Sequence, residues 1–406
     1  MGGRVFTYRD ARVPAPIELG AEFLHGETPE INAIVAQARL TASEVMGDHW
    51  RARDGKLRPV KDFWKKMDVV MGALSATRTP DQSFAEYLAT HARKRKYAGH
   101  RRMAREFVEG FHAADVTRIS ERSLAEAENP SEGGEEERSG RILEGYDRVM
   151  AWLARDVYDA VALNTVAEQV TWAPGQIQVL ARSTHDGETT TYTGRALVVT
   201  VPIGILQLAP GMPGAIRFDP EVATVQNAVS QIAMGSVTRV VFAFKEPFWE
   251  RTRRTPRGKS LSQLSFLHGR GTDVPVWWTL FPLRLPIMVG WAGGPRAAEL
   301  NQNDDATVLS RALGSLAHHL GTSRPRLEGL VEGGWTYNWD RDPYARGAYS
   351  YALVGGSGAA GRLARPVDQT LFFAGEATDT DGHTGTVEGA LATGRRAARG
   401  VLAALG

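Results

Sequence analysis

The last thirty-eight residues, "QTLFFAGEATDTDGHTGTVEGALATGRRAARGVLAALG", constrain the fold more than any other stretch. A short apolar strand runs into a Gly-rich loop, and a helix follows from about Thr386 to Leu405. An end of this kind places a ligand at the helix N-terminus, where backbone N–H groups are left without intrahelical partners. Ala196–Val199 is continuously apolar, as a strand buried on both faces should be. Apolar strands alternating with helical stretches at both ends predict an α/β layer. A helical insertion and a mixed-strand insertion interrupt it.

Between these ends the pattern changes. Residues 4–26, "RVFTYRDARVPAPIELGAEFLHG", read as two short strands around a Pro-broken turn. From Thr28 to about Ser123 the spacing predicts helix, most clearly in "INAIVAQARL", "FWKKMDVVMGAL", "SFAEYLATHARK" and "MAREFVEGFHAADV". "ENPSEGGEEERSG" is acidic and Gly-rich and reads as a solvated linker. "YDRVMAWLARDVYDA" is a helix, and strands with turn signals follow it to Pro202. Residues 211–300 mix short strands and turns. "DATVLSRALGSLAHHLG" is a helix stopped by Gly321. No repeat of fixed period is present.

Composition narrows the chemistry. The 406 residues exceed what one core accommodates and predict two or three domains. A formal net charge of +2 gives no global attraction to nucleic acid or anionic membrane. No apolar run reaches the ~18 residues that span a bilayer, and no charged-then-apolar leader opens the chain. Cysteine is absent, which excludes disulfides, thiolate metal sites, a cysteine nucleophile and a cysteinyl cofactor link. It also fits a reducing, cytoplasmic compartment. Nothing in the sequence sets an oligomeric state. The basic run "ARKRKYAGHRR" (92–102) reads as a solvated helix face, and "DTDGH" (379–383) as a turn without the spacing of a calcium loop.

One motif misleads. "GSGAAG" (356–361) is a literal G-x-G-x-x-G, with Glu376 twenty residues past its first glycine. A dinucleotide fingerprint needs a helix opening from its glycines. Only "RLAR" precedes Pro366, so the stretch reads as a Gly-rich turn.

Four stretches, in order, carry a family resemblance: "GGRVFTYR…IELGAEFLHG", "MGSVTRVVFAFKEPFW", "WDRDPYARGAYSYALVGG" and "LFFAGEATDTDGHTGTVEGALATGRRAA". With "LNTVAEQV" and "ALVVTVPIGIL" they resemble the flavin-containing amine oxidases, which include monoamine oxidases, polyamine oxidases and lysine-specific histone demethylases. The resemblance covers nearly the whole chain, although the 28–123 segment is only generically similar. It implies a discontinuous, Rossmann-like FAD-binding domain (residues 1–26, 142–210 and 362–406). An α+β substrate domain (27–141 and 211–361) would be inserted into it. It also implies that the chain begins where an ADP-binding βαβ unit of roughly 30 residues would have ended, with Met1 an internal methionine. A chain so shortened would expose a sheet edge and be poorly soluble.

The resemblance further assigns roles. Gly2, Gly3 and Arg4 would lie along the flavin, Arg4 near its pyrophosphate. Gly20, Ala21, Glu22 and Phe23 would pass the isoalloxazine, and Ala167 would contact adenine through its backbone. Gly375 and Glu376 would meet the ribityl chain, and Thr386 and Val387 the pyrimidine edge. Trp339 would pack beside the flavin. Tyr349 would supply one wall of an aromatic cage for the amine, with Thr386 leaving the other wall open. His25 would stand near the site's mouth as a pH-sensitive contact. Ala348 takes the place of the cysteine that anchors flavin in monoamine oxidases, so FAD is expected to be non-covalent. Arg239 stands where the family has a water-holding lysine that assists reoxidation by oxygen. A planar, always-charged fork could still hold a water, or could slow the reaction with oxygen. The expected activity is oxidation of a small amine to an imine, with hydride passing to the flavin and oxygen reduced to hydrogen peroxide. The alternatives are a catalytically impaired or flavin-free scaffold, and a flavin amine dehydrogenase using another acceptor.

Overall fold

The computed structural model describes residues 1–53, 55–60, 63–91, 94–127, 139–252 and 255–406. Most of the acidic linker (128–138) and the first two residues of the basic run (92–93) lie outside the described residues.

The C-terminal signal forms as read. Leu371–Phe373 is a strand, and Val387–Leu405 a helix whose N-cap Thr386 accepts a hydrogen bond from the Gly389 N–H at 3.0 Å. Gly389, Thr393 and Ala397 are buried four residues apart, which is one face of a helix. A Cβ on Gly400 would sit 2.9 Å from the Phe372 ring, so small residues let the helix lie close over the strand. Leu371–Phe373 pairs in parallel with Leu197–Val199. Val198 is 37% exposed, against the expected burial on both faces, although its register partner Phe372 is buried. A four-stranded sheet, in the order Thr189–Gly194, Gln176–Ser183, Thr165–Ala173, Arg217–Asp219, packs Val170 and Ile177 against Val199 and Phe373.

The larger sheet has seven strands. In spatial order they are Val331–Thr336, Val237–Phe244, Ile287–Gly293, Val276–Thr279, Leu264–His268, Asp48–Arg53 and Lys56–Pro59. All eight residues of Val237–Phe244 are buried. Strand alternation sends Val240, Phe242 and Phe244 into one core and Val241 and Ala243 into another. The first core includes the helix Asp305–Leu320, capped by Asp304 and closed by Gly321 at φ +60° as expected.

The 28–123 region is not helical throughout. Helices occupy Pro29–Ala38, Phe63–Met71, Phe84–Thr90 and Ala98–Phe111, but Ala42–Glu44, Asp48–Arg53 and Lys56–Pro59 are strands. Asp48–Arg53 pairs in parallel with Leu264–His268. That pairing comes from far along the chain and overrides a weak local pattern. "GSGAAG" is a turn into the five-residue helix Ala359–Leu363, and in "DTDGH" the Asp379 carboxylate accepts from the Asp381 and His383 N–H groups. Among the described residues no helix is long and apolar enough to cross a membrane, and no group of side chains could hold a metal ion.

Candidate active site

The site is built around two buried carboxylates. Glu22, wholly buried, accepts from Arg141 Nε at 2.6 Å, from an Arg239 Nη, and from Trp278 Nε1 at 3.2 Å. Burial alone would raise its pKa. The two guanidiniums outweigh that and hold the carboxyl below its usual range. Arg239 also donates to the Gly20 carbonyl at 3.1 Å, and its guanidinium lies 5.4 Å from the Trp278 ring centroid. Among the described residues Arg239 Nε and Arg141 Nη2 are buried without a hydrogen-bond partner. Both arginines line a cavity of about 30 Å³ with Glu18 and Glu22, whose remaining walls are apolar; the four charged groups at one side could hold an ordered water.

The second carboxylate is Glu376. Arg4 Nη1 donates to it and to the Ala348 carbonyl, both at 2.8 Å. Its other oxygen accepts from Ser350 Oγ at 2.6 Å and from the Gly385 N–H at 3.1 Å. Arg4, Val201, Gly375, Glu376 and Thr378 line a crevice beyond the carboxyl ends of the two parallel strands, where open α/β sheets bind ligands. Gly3 and Gly375 have positive φ and little or nothing within 4 Å of a would-be Cβ, leaving backbone open to a ligand. Gly2 is different. Its Cβ would strike the Val5 carbonyl at 2.7 Å, so its own turn explains that glycine. Gly20 is tighter still, with its would-be Cβ 2.0 Å from the Arg4 carbonyl.

Aromatic groups close the ring of contacts. Trp339 Nε1 donates to the Leu19 carbonyl at 2.9 Å. Tyr349 donates its hydroxyl to the Phe111 carbonyl at 2.6 Å, and its ring lies 3.3 Å from a would-be Cβ on Gly385. Burial pushes the Tyr349 phenol well up. Thr386 follows, its hydroxyl donating to the His383 carbonyl at 2.6 Å, and Val387 packs with Ala21 against a shared apolar cluster. Phe23 lies with its ring 5.1 Å from the Arg141 guanidinium.

Hydrogen bonds and close contacts therefore link Arg4, Gly20, Glu22, Arg239, Trp339, Tyr349, Glu376 and Thr386. Ala167 is elsewhere, on the strand Thr165–Ala173 opposite Ala181. His25 lies against Phe111, with ring centroids 5.4 Å apart, and 3.4 Å from Ser139 Oγ. Burial lowers its pKa to about 4. It stays neutral near pH 7, which corrects the expectation of a pH-sensitive contact. Sequence reasoning missed Arg141, Trp278, Ser350 and Phe111. Arg141, Trp278 and Phe111 stand in no local site motif and join the site across a long chain separation, whereas Ser350 stands next to Tyr349 in "WDRDPYARGAYSYALVGG" and could have been found there.

Glu18 adds a testable linkage. It is only 8% exposed, and burial lifts its pKa from 4.5 to about 7, opposed by hydrogen bonds from Thr7 and the Tyr146 N–H and by the charge of Arg239. The native state then keeps a proton that the unfolded chain releases. Stability should fall as pH rises from about 4.5 to about 7 and level off above. The contribution is of order 3 kcal/mol. Urea midpoints across that window should show the decline in the native chain and a flatter profile in Glu18→Gln. Parallel profiles would sink the assignment.

A buried acid–arginine core and a crevice at the ends of two parallel strands thus lie beside the Tyr349 ring. The chain belongs to the flavin containing amine oxidoreductases, whose family model matches residues 1–402. It is 25% identical to polyamine oxidase 4 of Oryza sativa subsp. japonica, over 98% of this chain and 81% of that protein. It is 30% identical to lysine-specific histone demethylase 1 homolog 3 of Arabidopsis thaliana, over 63% of this chain but only 15% of that protein. Its fold is shared with putrescine oxidase bound to putrescine (TM-score 0.78, 18% identity, 99% of this chain and 91% of that one). It is shared equally with cyclohexylamine oxidase from Brevibacterium oxydans IH-35A (TM-score 0.77, 17% identity, the same coverage).

Proposed function

We propose that the chain oxidises the C–N bond of a small-molecule amine to an imine, using non-covalently held FAD and reducing oxygen to hydrogen peroxide. The observation that carries this reading is the continuous contact chain from Arg4 and Glu376 through Gly385 to Tyr349. It joins a diphosphate-suited cation to an amine-suited ring. A flavin bound there supplies the hydride acceptor. Arg4 offers fixed donors for its diphosphate, and the open faces of Gly3 and Gly375 admit it. Tyr349 presents a π face to the substrate nitrogen. Its hydroxyl is occupied by the Phe111 carbonyl, so it orients the amine and does not transfer a proton. Trp339, tied to the Leu19 carbonyl, keeps the wall rigid and dry. Ala348 and the lack of any cysteine support non-covalent binding and fit a cytoplasmic location. The division into a discontinuous cofactor domain and an inserted substrate domain belongs to the same reading.

One observation favours a second reading. Arg239 is committed to Glu22 and Gly20, so it is not a free ammonium poised for oxygen chemistry. That pairing would suit an amine dehydrogenase with another electron acceptor. The purified chain should be yellow, release FAD on acid denaturation, and generate peroxide only when amine is added. Amine-dependent bleaching without peroxide would select the dehydrogenase; colourless protein would overturn both.

A further inference from the structure

The large sheet carries an unusual row of side chains. Direct register partners run from Arg239 to Trp291, then to Val276, His268 and Arg51. Partners share a face of the sheet, so this row crosses five strands on one side. Four steps between strands make it about 19 Å long. A second row beside it, Val289, Trp278, Phe266 and His49, is its neighbour on the same face.

Two elements stand over this floor. The helix Ala98–Phe111 is tied down at its C-terminal end and near its middle: Trp291 Nε1 donates to the Gly110 carbonyl at 2.8 Å, and Arg51 reaches Met103 Sδ at 3.6 Å. Opposite it, the Phe23 ring lies 5.4 Å from Trp278 and 6.1 Å from Phe266. Phe23, Phe107, Phe266 and Trp291 are each only half-buried although they touch other rings. Phe23, Phe266 and Trp291 pack against the core that holds Trp278 and Val289, and the edges left exposed would line a groove running from the Tyr349–Arg239 site to Arg51.

The charges along the groove are what matter. Glu106 is paired with Arg270 at 2.8 Å, and Glu109 turns to Arg105 at 3.5 Å. His49 and His268 are held neutral by burial. Among the described residues the half-buried Arg51 guanidinium has one hydrogen bond, to a thioether, a poor acceptor for a charged donor. Among the described residues Glu106, whose charge also reaches Arg51, and Glu109 are already paired, so a second ammonium would find no unpaired carboxylate on the Ala98–Phe111 helix and would approach a cation. Desolvating it without a partner is unfavourable.

Resting on the amine-oxidation reading, we propose that this groove takes the apolar body of a monoamine. Arg51 receives a carboxylate at the far end, so polyamines are poor substrates. A bidentate guanidinium–carboxylate pair is the contact this geometry lacks.

The test uses the flavin-loaded protein and three straight-chain series of matched length: alkylamines, α,ω-diamines and ω-amino carboxylates. Binding is read by thermal shift, independently of turnover, and reaction by anaerobic bleaching of the flavin. The amino carboxylates should bind about tenfold tighter than the diamines, with alkylamines between. Arg51→Met should erase the carboxylate advantage, and Arg51→Glu should reverse the order. Diamines or spermidine binding tightest, or a ranking indifferent to Arg51, would overturn the proposal, as would no ranking at any length. A carboxylate-first ranking without bleaching would uphold the groove and reject the amine-oxidation reading instead.

Discussion

Replacing Glu22 with alanine is expected to remove about 3–5 kcal/mol of folding stability, the range for breaking a buried ion pair from one side. The carboxylate is wholly buried and receives two guanidiniums and an indole N–H. Without it, Arg141 and Arg239 remain as buried cations without the carboxylate that pairs them, and the Glu18 carboxyl of the same cavity is held largely protonated by burial. Each already has one N–H without a partner, so little can rearrange to compensate. The loss is a large part of the 5–15 kcal/mol that holds an ordinary domain together. Glu22→Gln keeps the volume and an acceptor and should lose less. Urea unfolding of both variants measures the effect. A midpoint for Glu22→Ala within error of the native chain would show that the cluster is not where the stability lies. Because the two arginines hold the Glu22 carboxyl below its usual range, its contribution is present above the ordinary carboxylate pKa and is lost as pH falls through the lower folded value. Glu18 acts with the opposite sign, so acid titration separates the two.

The second large effect is expected at Glu376. Alanine there removes the acceptor for Arg4, Ser350 and the Gly385 N–H together. Charge-assisted bonds of this kind contribute about 1.5–3 kcal/mol each, though they are not additive. The functional consequence should exceed the structural one. Arg4 would no longer be fixed in the crevice, and the turn at Gly385 that seats Tyr349 would lose its anchor. Flavin retention through gel filtration should weaken at least about tenfold, equivalent to about 1.4 kcal/mol, and amine-dependent bleaching should fall with it. Glu376→Gln separates charge from hydrogen bonding, since it retains an acceptor for Ser350. Full flavin occupancy in Glu376→Ala would remove Arg4 and Glu376 from the cofactor site.

What the sequence revealed follows how local each signal is. The C-terminal strand, its loop and the Thr386-capped helix were legible because cap, period and glycine spacing all act within a few turns of chain. Gly321 was legible as a stop for the same reason. The strand Asp48–Arg53 was not, since its identity depends on a partner that arrives more than half the chain later. The acid–arginine core lay between these cases. Glu22 and Arg239 were both singled out, but for contact with the cofactor. That each is the other's main partner is a fact of packing. His25 shows the same limit in its chemistry: residue type sets the ordinary pKa, and burial among rings moves it to about 4.

The groove floor is one face of a sheet, and that has an evolutionary consequence. Along these strands every second side chain lies on that face, at positions 49, 51, 266, 268, 276, 278, 289 and 291, with Trp278 and Val289 buried in a core of their own. Those between, including Trp50, Leu267, Trp277 and Met288, are packed into the core that holds the Asp305–Leu320 helix. Variation can therefore be written at the half-buried positions of that face, 49, 51, 266, 268, 276 and 291, while the buried positions of both faces keep the protein folded. A lineage could change which molecules enter by drifting through those half-buried positions, without crossing a valley of unstable intermediates.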